Sequence, residues 1–376
     1  MNPIKNLSFN YMHISVSFDG YIKLILVNRR TLFLTVAITI SACTYFLISE
    51  EDKLETFPSY YTSTLKEKTG MHISITSREY VCINCVDGNG IGNEMFQFAS
   101  GYGIARQKNM IVAIPETCKL QNIFRLSAFV LINTSVCSHF QTLRQLNIGF
   151  YDRKIVEFSN NTNVSIIGFL QSYRYFEKYE SDIRNAFSFK DITKTKADTI
   201  FNDILYKNNL TCLRTHQSTL DTRNNYIQCT KGPKFNVVTI VGIHVRRGDW
   251  LDPHYAELGF QTASKEYLQK AVNWYKERYA EILFIVASNG MVWTKLNLPE
   301  NISVEYLEGN APEIDIAILT SCNQFISTTG TFGWWIGWLI GGNVTYYKWP
   351  ARENTPFRNT FGKYYSDYYC PWWIGL

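Results

Sequence analysis

The sequence predicts an α/β protein built from two facing Rossmann-like domains, and three observations carry that expectation. Apolar, β-branched runs bounded by turn residues recur along the chain. Helical patterns separate them. The runs are apolar throughout rather than alternating, as in parallel strands buried on both faces. The first half opens with a strand over 80–86, a turn from Asp87 to Gly92, a helix over 93–108 and a strand over 110–114, a β-α-β unit. From 115 to 235 the pattern weakens to a strand over 165–169 and a helix over 175–187. Residues 207–236 are polar, rich in Asn and Thr, and read as a boundary region. The second half is clearer, with strands over 237–245, 282–287, 304–307, 325–327 and 344–347. Helices are expected over 264–279, 314–322 and 331–340. The expected domains are 80–235 and 236–376.

Ahead of these domains, residues 31–48 run without a charge, about the minimum for a bilayer span. Lys23, Arg29 and Arg30 precede the run, and Glu50, Glu51 and Asp52 follow it. The positive-inside rule then gives a cytosolic tail over 1–30, a signal anchor over 31–49 and a lumenal stem over 50–79. A cleaved signal peptide fits less well, because the preceding segment is long and lacks a small-x-small cleavage site. A buried core helix would carry polar residues at helical spacing. Cysteine usage agrees with a lumenal address: nine are present, Cys43 falls in the span, and an even set of eight follows, consistent with disulfides of unassigned pairing. Cys82 and Cys85 form a CxxC with no second half to complete a metal site, so bridging is expected. Six N-x-S/T sequons lie beyond the span. Asn133, Asn160, Asn163, Asn209 and Asn301 are expected carriers, and Asn343 is expected to open a strand and be shielded. The net charge of +5 comes without a basic stripe, which argues against nucleic-acid binding.

Ligands of open α/β sheets sit beyond the carboxyl ends of strands. Here those ends carry His244-Val-Arg246-Arg247-Gly-Asp249, then Ser288-Asn289-Gly290, then Thr328-Thr-Gly330-Thr331-Phe332 at a helix start. Guanidinium grips phosphate oxygens through parallel hydrogen bonds, and a helix N-terminus offers free N–H groups to an anion. Each motif alone could be an ordinary strand end or helix cap. Together they suggest a nucleoside diphosphate. No Asp-x-Asp is present, the nearest approach being Glu313-Ile-Asp315, so neutralisation by arginine and helix terminus is expected, with no cofactor. A dinucleotide fingerprint fails at Gly88-x-Gly90-x-Gly92, because Asn93 stands at the third glycine position.

The stretch from Asn89 to Ala99, NGIGNEMFQFA, resembles the GGLGNQMFQYA motif of galactoside α-1,2-fucosyltransferases, glycosyltransferase family 11. HVRRGDW, FIVASNGMVW and the segment from Asp315 to Trp335 resemble three further motifs of that family, in the same order, over roughly residues 80–360. The resemblance implies a Golgi type II membrane enzyme of GT-B type. It would move L-fucose from GDP-fucose to a terminal galactose on a glycoprotein or glycolipid glycan, with inversion and without metal. It further implies that Arg246 and Arg247 hold the diphosphate, His244 and Asp315 face the guanine, and Gly330, Thr331 and Phe332 line the phosphate loop. Gly92 and Asn93 would reach across from the first domain. Glu94 stands where the family has glutamine. The general base stays open among Asp249, Asp252, His254 and Glu94. An α-1,6- or protein O-fucosyltransferase is the rival enzyme reading, and a lectin-like protein without turnover the rival of another class.

Overall fold

The computed structural model describes residues 79–85, 90–131, 134–216, 225–233 and 235–376, with two short strands nearer the start, β1 (Met12–Val16) and β2 (Ile22–Leu26). The chain divides into two compact units, Met1–Thr76 and Ser77–Leu376. In the first, β1 and β2 pair antiparallel, inside the segment expected as a cytosolic tail. The expected span at 31–49, and the expected stem up to residue 78, lie outside the described residues. Among the described residues no helix is long and apolar enough to cross a membrane.

The second unit holds two sheets. The first is parallel throughout, built from β3 (Tyr80–Ile83), β4 (Ile111–Pro115), β5 (Phe129–Leu131), β6 (Gln141–Arg144) and β7 (Val164–Ile167) in the order β5-β4-β3-β7-β6. Helix α1 (Ile91–Gln107) links β3 to β4 as a crossover, and a single turn, α2 (Leu120–Ile123), follows β4. Two helices lead out of this sheet, α3 (Glu180–Ala186) and α4 (Asp191–Lys207). The expected helix over 175–187 is divided. Two 3-10 turns, Tyr173–Tyr175 and Glu177–Tyr179, precede α3. Tyr173, Tyr175 and Phe176 are all buried, and an α-helix cannot turn neighbouring positions onto one face.

The stretch read as a boundary region is a hairpin, β8 (Leu210–His216) against β9 (Asn225–Lys231), tied by Cys212–Cys229 and paired antiparallel with β10 (Asn236–Val245). The second sheet therefore begins at Leu210. Buried Leu210, Ile227 and Cys229 alternate with exposed Thr211, Leu213 and Gln228, the pattern of a ribbon with one wet face. Two short helices follow, α5 (Pro253–Leu258) and α6 (Lys265–Lys276). Then come β11 (Glu281–Ser288), α7 (Met291–Asn297), β12 (Val304–Tyr306) and α8 (Pro312–Leu319). The chain closes with β13 (Gln324–Ser327), α9 (Thr331–Ile340), β14 (Val344–Tyr346) and β15 (Ile374–Gly375). From β10 onward the strands are parallel in the order β12-β11-β10-β13-β14-β15, the Rossmann order with its switch point between β10 and β13.

One aromatic seam joins the sheets. Helix α9 has no charged residue, and Trp334, Trp335 and Trp338 are all buried, as in a helix enclosed on every side. Trp334 and Trp335 lie 4.4 and 5.0 Å from Phe96 of α1, and Phe176 and Phe187 close on Trp335 at 5.5 and 5.0 Å. Arg184 of α3 caps the far end of α9. It donates to the carbonyls of Leu339 (3.0 Å) and Trp338 (2.6 Å), where a cation also opposes the helix dipole.

The CxxC cysteines bridge outward, Cys82 to Cys137 and Cys85 to Cys118, as expected of structural rather than metal chemistry. Cys322 and Cys370 are buried free thiols, so the even set of eight is only partly paired.

Candidate active site at the second switch point

The carboxyl end of β10 is fixed from both sides. The His244 carbonyl accepts from the Thr328 backbone N–H (3.2 Å) and from Thr328 Oγ1 (3.0 Å). Thr328 Oγ1 in turn accepts from the Arg246 backbone N–H at 2.8 Å. This threonine thus splices the two strands at the switch point, a role that sequence reading left unassigned. The His244 ring is buried 4.8 Å from Phe332. Burial, with the neighbouring Arg246 charge, pulls its pKa down to about 3. The imidazole is therefore neutral at physiological pH.

The two arginines diverge. Arg246 stands beside Gly330, its stem 3.6 Å from where a Cβ on that glycine would lie, and its guanidinium pairs with Asp249 at 2.6 Å. Arg247 turns toward β11, where its guanidinium lies over the Trp293 ring at 3.7 Å. Asn289 Oδ1 accepts from the Arg247 backbone N–H at 2.7 Å. Ser288 Oγ donates to the Val245 carbonyl at 2.9 Å, accepts from the Gly290 N–H and meets Thr294 Oγ1. Ser288 and Asn289, which the sequence suggested as donor contacts, thus also brace the arginine loop.

Gly330 precedes α9 with φ 87°, a left-handed conformation open to glycine, and has no side chain to cap the helix. The start of α9 thus carries the positive end of the helix dipole next to Gly330, which the Arg246 stem adjoins. From the other sheet, α1 begins beside this turn. Thr331 Oγ1 donates to Asn93 Oδ1 at 2.8 Å, Gln171 Nε2 donates to the same oxygen at 3.0 Å, and Trp335 Nε1 donates to the Gly92 carbonyl at 3.0 Å. A Cβ on Gly92 would sit 2.6 Å from the Thr331 carbonyl carbon, so only glycine allows the approach. The structure therefore brings together Gly92, Asn93, His244, Arg246, Gly330, Thr331 and Phe332. Gln171 carries no sequence signal; its position follows from the turn after β7.

Asp315 lies further out, in the first turn of the helix that follows β12. Burial raises its pKa to about 6, a hydrogen bond from Asn310 at 3.0 Å opposes the rise, and Glu313 adds to it. Among the four candidate bases, Asp249 is engaged by Arg246, and Asp252 caps α5 by accepting from the His254 N–H. His254 is exposed and Glu94 is buried.

Four of the sequons lie at the amino edge of their own sheet. Asn163 immediately precedes β7, Asn209 β8 and Asn343 β14, and Asn301 comes three residues before β12. Asn160, Asn209 and Asn301 are exposed. Asn163 is half-buried, its Oδ1 accepting from the Tyr80 N–H at 2.6 Å. Asn343 opens a strand as expected but is exposed rather than shielded, because its side chain points to the Tyr279 hydroxyl at the rim. Asn133 lies outside the described residues. A cavity of about 280 Å³ also opens at this edge, among Asn208, Lys231, Lys276, Tyr279, Glu281 and Asn301. Its lining contains no arginine and no glycine-started helix, so the chemistry is assigned to the opposite edge.

Comparison with known proteins agrees with this geometry. The model of "Glycosyl transferase family 11" matches residues 205–376. The chain is 27% identical over 320 residues to galactoside alpha-(1,2)-fucosyltransferase 2 of Mus musculus, covering 82% of each chain. It is 28% identical over 297 residues to galactoside alpha-(1,2)-fucosyltransferase 1 of Rattus norvegicus, covering 77% of this chain and 71% of that one. Among solved structures it is similar to the fucosyltransferase NodZ from Bradyrhizobium, at a TM-score of 0.42 and 14% identity, covering 69% of this chain and 92% of that one. The motifs on the carboxyl edge, the matched segment that contains most of them and the relatives along most of the chain agree: residues 205–376 are similar to glycosyl transferase family 11, and the protein is a glycosyltransferase.

Proposed function

We propose that the protein transfers L-fucose from GDP-β-L-fucose to the 2-hydroxyl of a terminal β-galactoside, with inversion. The observation that carries the reading is the switch point itself. Arg246 stands over the uncapped start of α9, so a guanidinium and a helix N-terminus converge where a leaving diphosphate would gain charge. Neutral His244 and Asp315 would recognise the guanine, and Arg247 would flank the phosphates. Gly92 and Asn93 would complete the donor site from a first, acceptor-side domain facing the second across the cleft. The acceptor hydroxyl attacks the anomeric carbon as the bond to the diphosphate breaks, and its proton passes to a base; one displacement turns the β-donor into an α-product. The 2-hydroxyl of galactose is taken from the activity named for the relatives. A signal-anchored Golgi enzyme with a lumenal catalytic part, acting on glycoprotein or glycolipid glycans, agrees with the charge pattern around residues 31–49 and with the sequons.

Incubation of the full-length protein with labelled GDP-fucose and a panel of β-galactosides, followed by linkage analysis, tests the reading. Fucα1-2Gal is the expected product. Fucose on O6 of GlcNAc or on a Ser or Thr side chain would overturn the acceptor assignment. Activity is expected to survive EDTA, and a collapse restored by manganese would sink the arginine-and-helix account.

A further inference from the structure

We propose that Trp293 is a positioning residue for the donor diphosphate, acting through Arg247; the proposal rests on reading the carboxyl edge as a GDP site. The two neighbouring arginines start from different states. Arg246 is already paired with Asp249, so a phosphate must compete for it. Arg247 has no ion pair and no side-chain hydrogen bond to an acceptor among the described residues, yet it is held closely. Its guanidinium lies over the Trp293 ring at 3.7 Å, within the range of a cation–π contact.

The segment from Ser288 to Trp293 is shaped to produce that contact. Asn289 takes the Arg247 backbone N–H, and Gly290 leaves room for the arginine stem, whose Cβ would be 3.0 Å from a Cβ at that glycine. Ser288 bridges the Val245 carbonyl, the Gly290 N–H and Thr294, which locks the turn that launches α7. Trp293 then presents its ring from the first turn of α7. Stacking engages the face of a guanidinium and leaves its N–H edges to hydrogen-bond, so the tryptophan fixes the fork without consuming its donors. An arginine held in this way loses less side-chain entropy when it grips a phosphate than a mobile one would. Trp293 is therefore assigned to donor affinity and Arg246 to the charge that develops in the transition state.

The test compares ligands with and without phosphates, using the full-length protein. Trp293→Leu is expected to weaken GDP about tenfold as an inhibitor and to raise KM for GDP-fucose by a similar factor. Inhibition by guanosine, KM for the acceptor and kcat should change less than about twofold. Trp293→Phe, which keeps a poorer ring, should lose about threefold on GDP. Arg247→Ala combined with Trp293→Leu should be no worse for GDP than Arg247→Ala alone, because the tryptophan acts only through the arginine. Equal weakening of guanosine and GDP, or additive losses in the double variant, would overturn the proposal. If Trp293→Leu does not fold, the Phe variant alone decides, and unchanged GDP inhibition there counts against it. Wild-type protein that fails to bind GDP at all would remove the site reading, and this inference with it.

Discussion

Helices α1 and α9 begin alike. Each follows a parallel strand at the switch point of its sheet, each is preceded by a glycine of positive φ (76° at Gly90, 87° at Gly330), and neither has a side-chain cap. Their surroundings differ. The first turn of α1 is occupied by protein: the Gly92 carbonyl is taken by Trp335, Asn93 by Thr331 and Gln171, and the acidic residue of that turn is buried Glu94. The first turn of α9 has no acidic residue and lies beside Arg246. The same backbone device therefore serves as a docking joint in one sheet; in the other it takes the opposite half of that joint through Thr331 and, under the proposed function, the donor anion as well. What separates them is the charge that the neighbouring strand delivers.

Removing that charge should have the largest effect. Arg246→Ala is expected to lower kcat by about a hundred- to a thousand-fold, roughly 3 kcal/mol, while the protein stays folded. Lysine should recover little, since it lacks the fork. Steady-state rates alongside a melting curve check this, and near-normal turnover would erase the difference drawn between the two helix starts.

Next comes the joint. Gly92→Ala pushes a Cβ into the Thr331 and Phe332 backbone, which cannot yield like a flexible side chain, so a stability loss of about 1–3 kcal/mol is expected by denaturant titration. Gly330→Ala makes only ordinary van der Waals contact, 3.6 Å from the Arg246 stem, and carries mainly the left-handed backbone penalty, about 1 kcal/mol. Equal losses at the two glycines would contradict the contrast.

Under the proposed function, the end expected to hold the guanine should respond to pH. Ionised Asp315 is the form that can accept from a base, and in the free protein burial holds its pKa near 6. Donor binding should then weaken as pH falls through 6, with KM for GDP-fucose rising about tenfold between pH 7 and 5. The sign for stability is opposite. The folded pKa lies above the unfolded one, so this group stabilises the fold at low pH, and that contribution is lost as pH rises from about 4 to 6. His244, already neutral in the folded protein, should add no step to KM in this range; its folded pKa lies below the unfolded one, so its stabilising contribution is present above about 6.5 and is lost as pH falls toward 3. Asp315→Asn should flatten the KM profile; an unchanged profile would detach this residue from the donor.

The smallest effect is expected at Thr331→Val, which removes the hydroxyl reaching Asn93. A loss of about 1 kcal/mol should appear in the melting curve.

The second sheet was legible because its strands are long, apolar and β-branched, and because α9 carries its tryptophans on a charge-free run. The helix over 331–340 was located to the residue for that reason. The hairpin at Leu210–Lys231 was hidden because one of its faces is wet, and polar Asn and Thr there read as loop. Helix α4 escaped because its buried stripe is narrow and includes Thr193 and Ala197. At the candidate site, residue types at strand ends pointed to Arg246, His244 and Gly330, which the fold brings to one strand edge. Thr328, Gln171 and the stacking of Trp293 on Arg247 depend on three-dimensional approach and leave no local pattern. The bracing by Ser288 and Asn289 was hidden for a related reason: an exposed turn and a brace look the same in sequence.

The placement of the sequons has a practical consequence. In the second sheet the parallel strands start at the edge that carries Asn209, Asn301 and Asn343, and they end at the edge that carries the arginines. A handle attached at the first edge points away from the second. A single cysteine placed at exposed Asn209 or Asn301 for surface coupling should therefore hold the enzyme on a bead with its nucleotide end outward and its turnover intact. The same coupling at Asn289, whose side-chain oxygen holds the Arg247 backbone, should silence it.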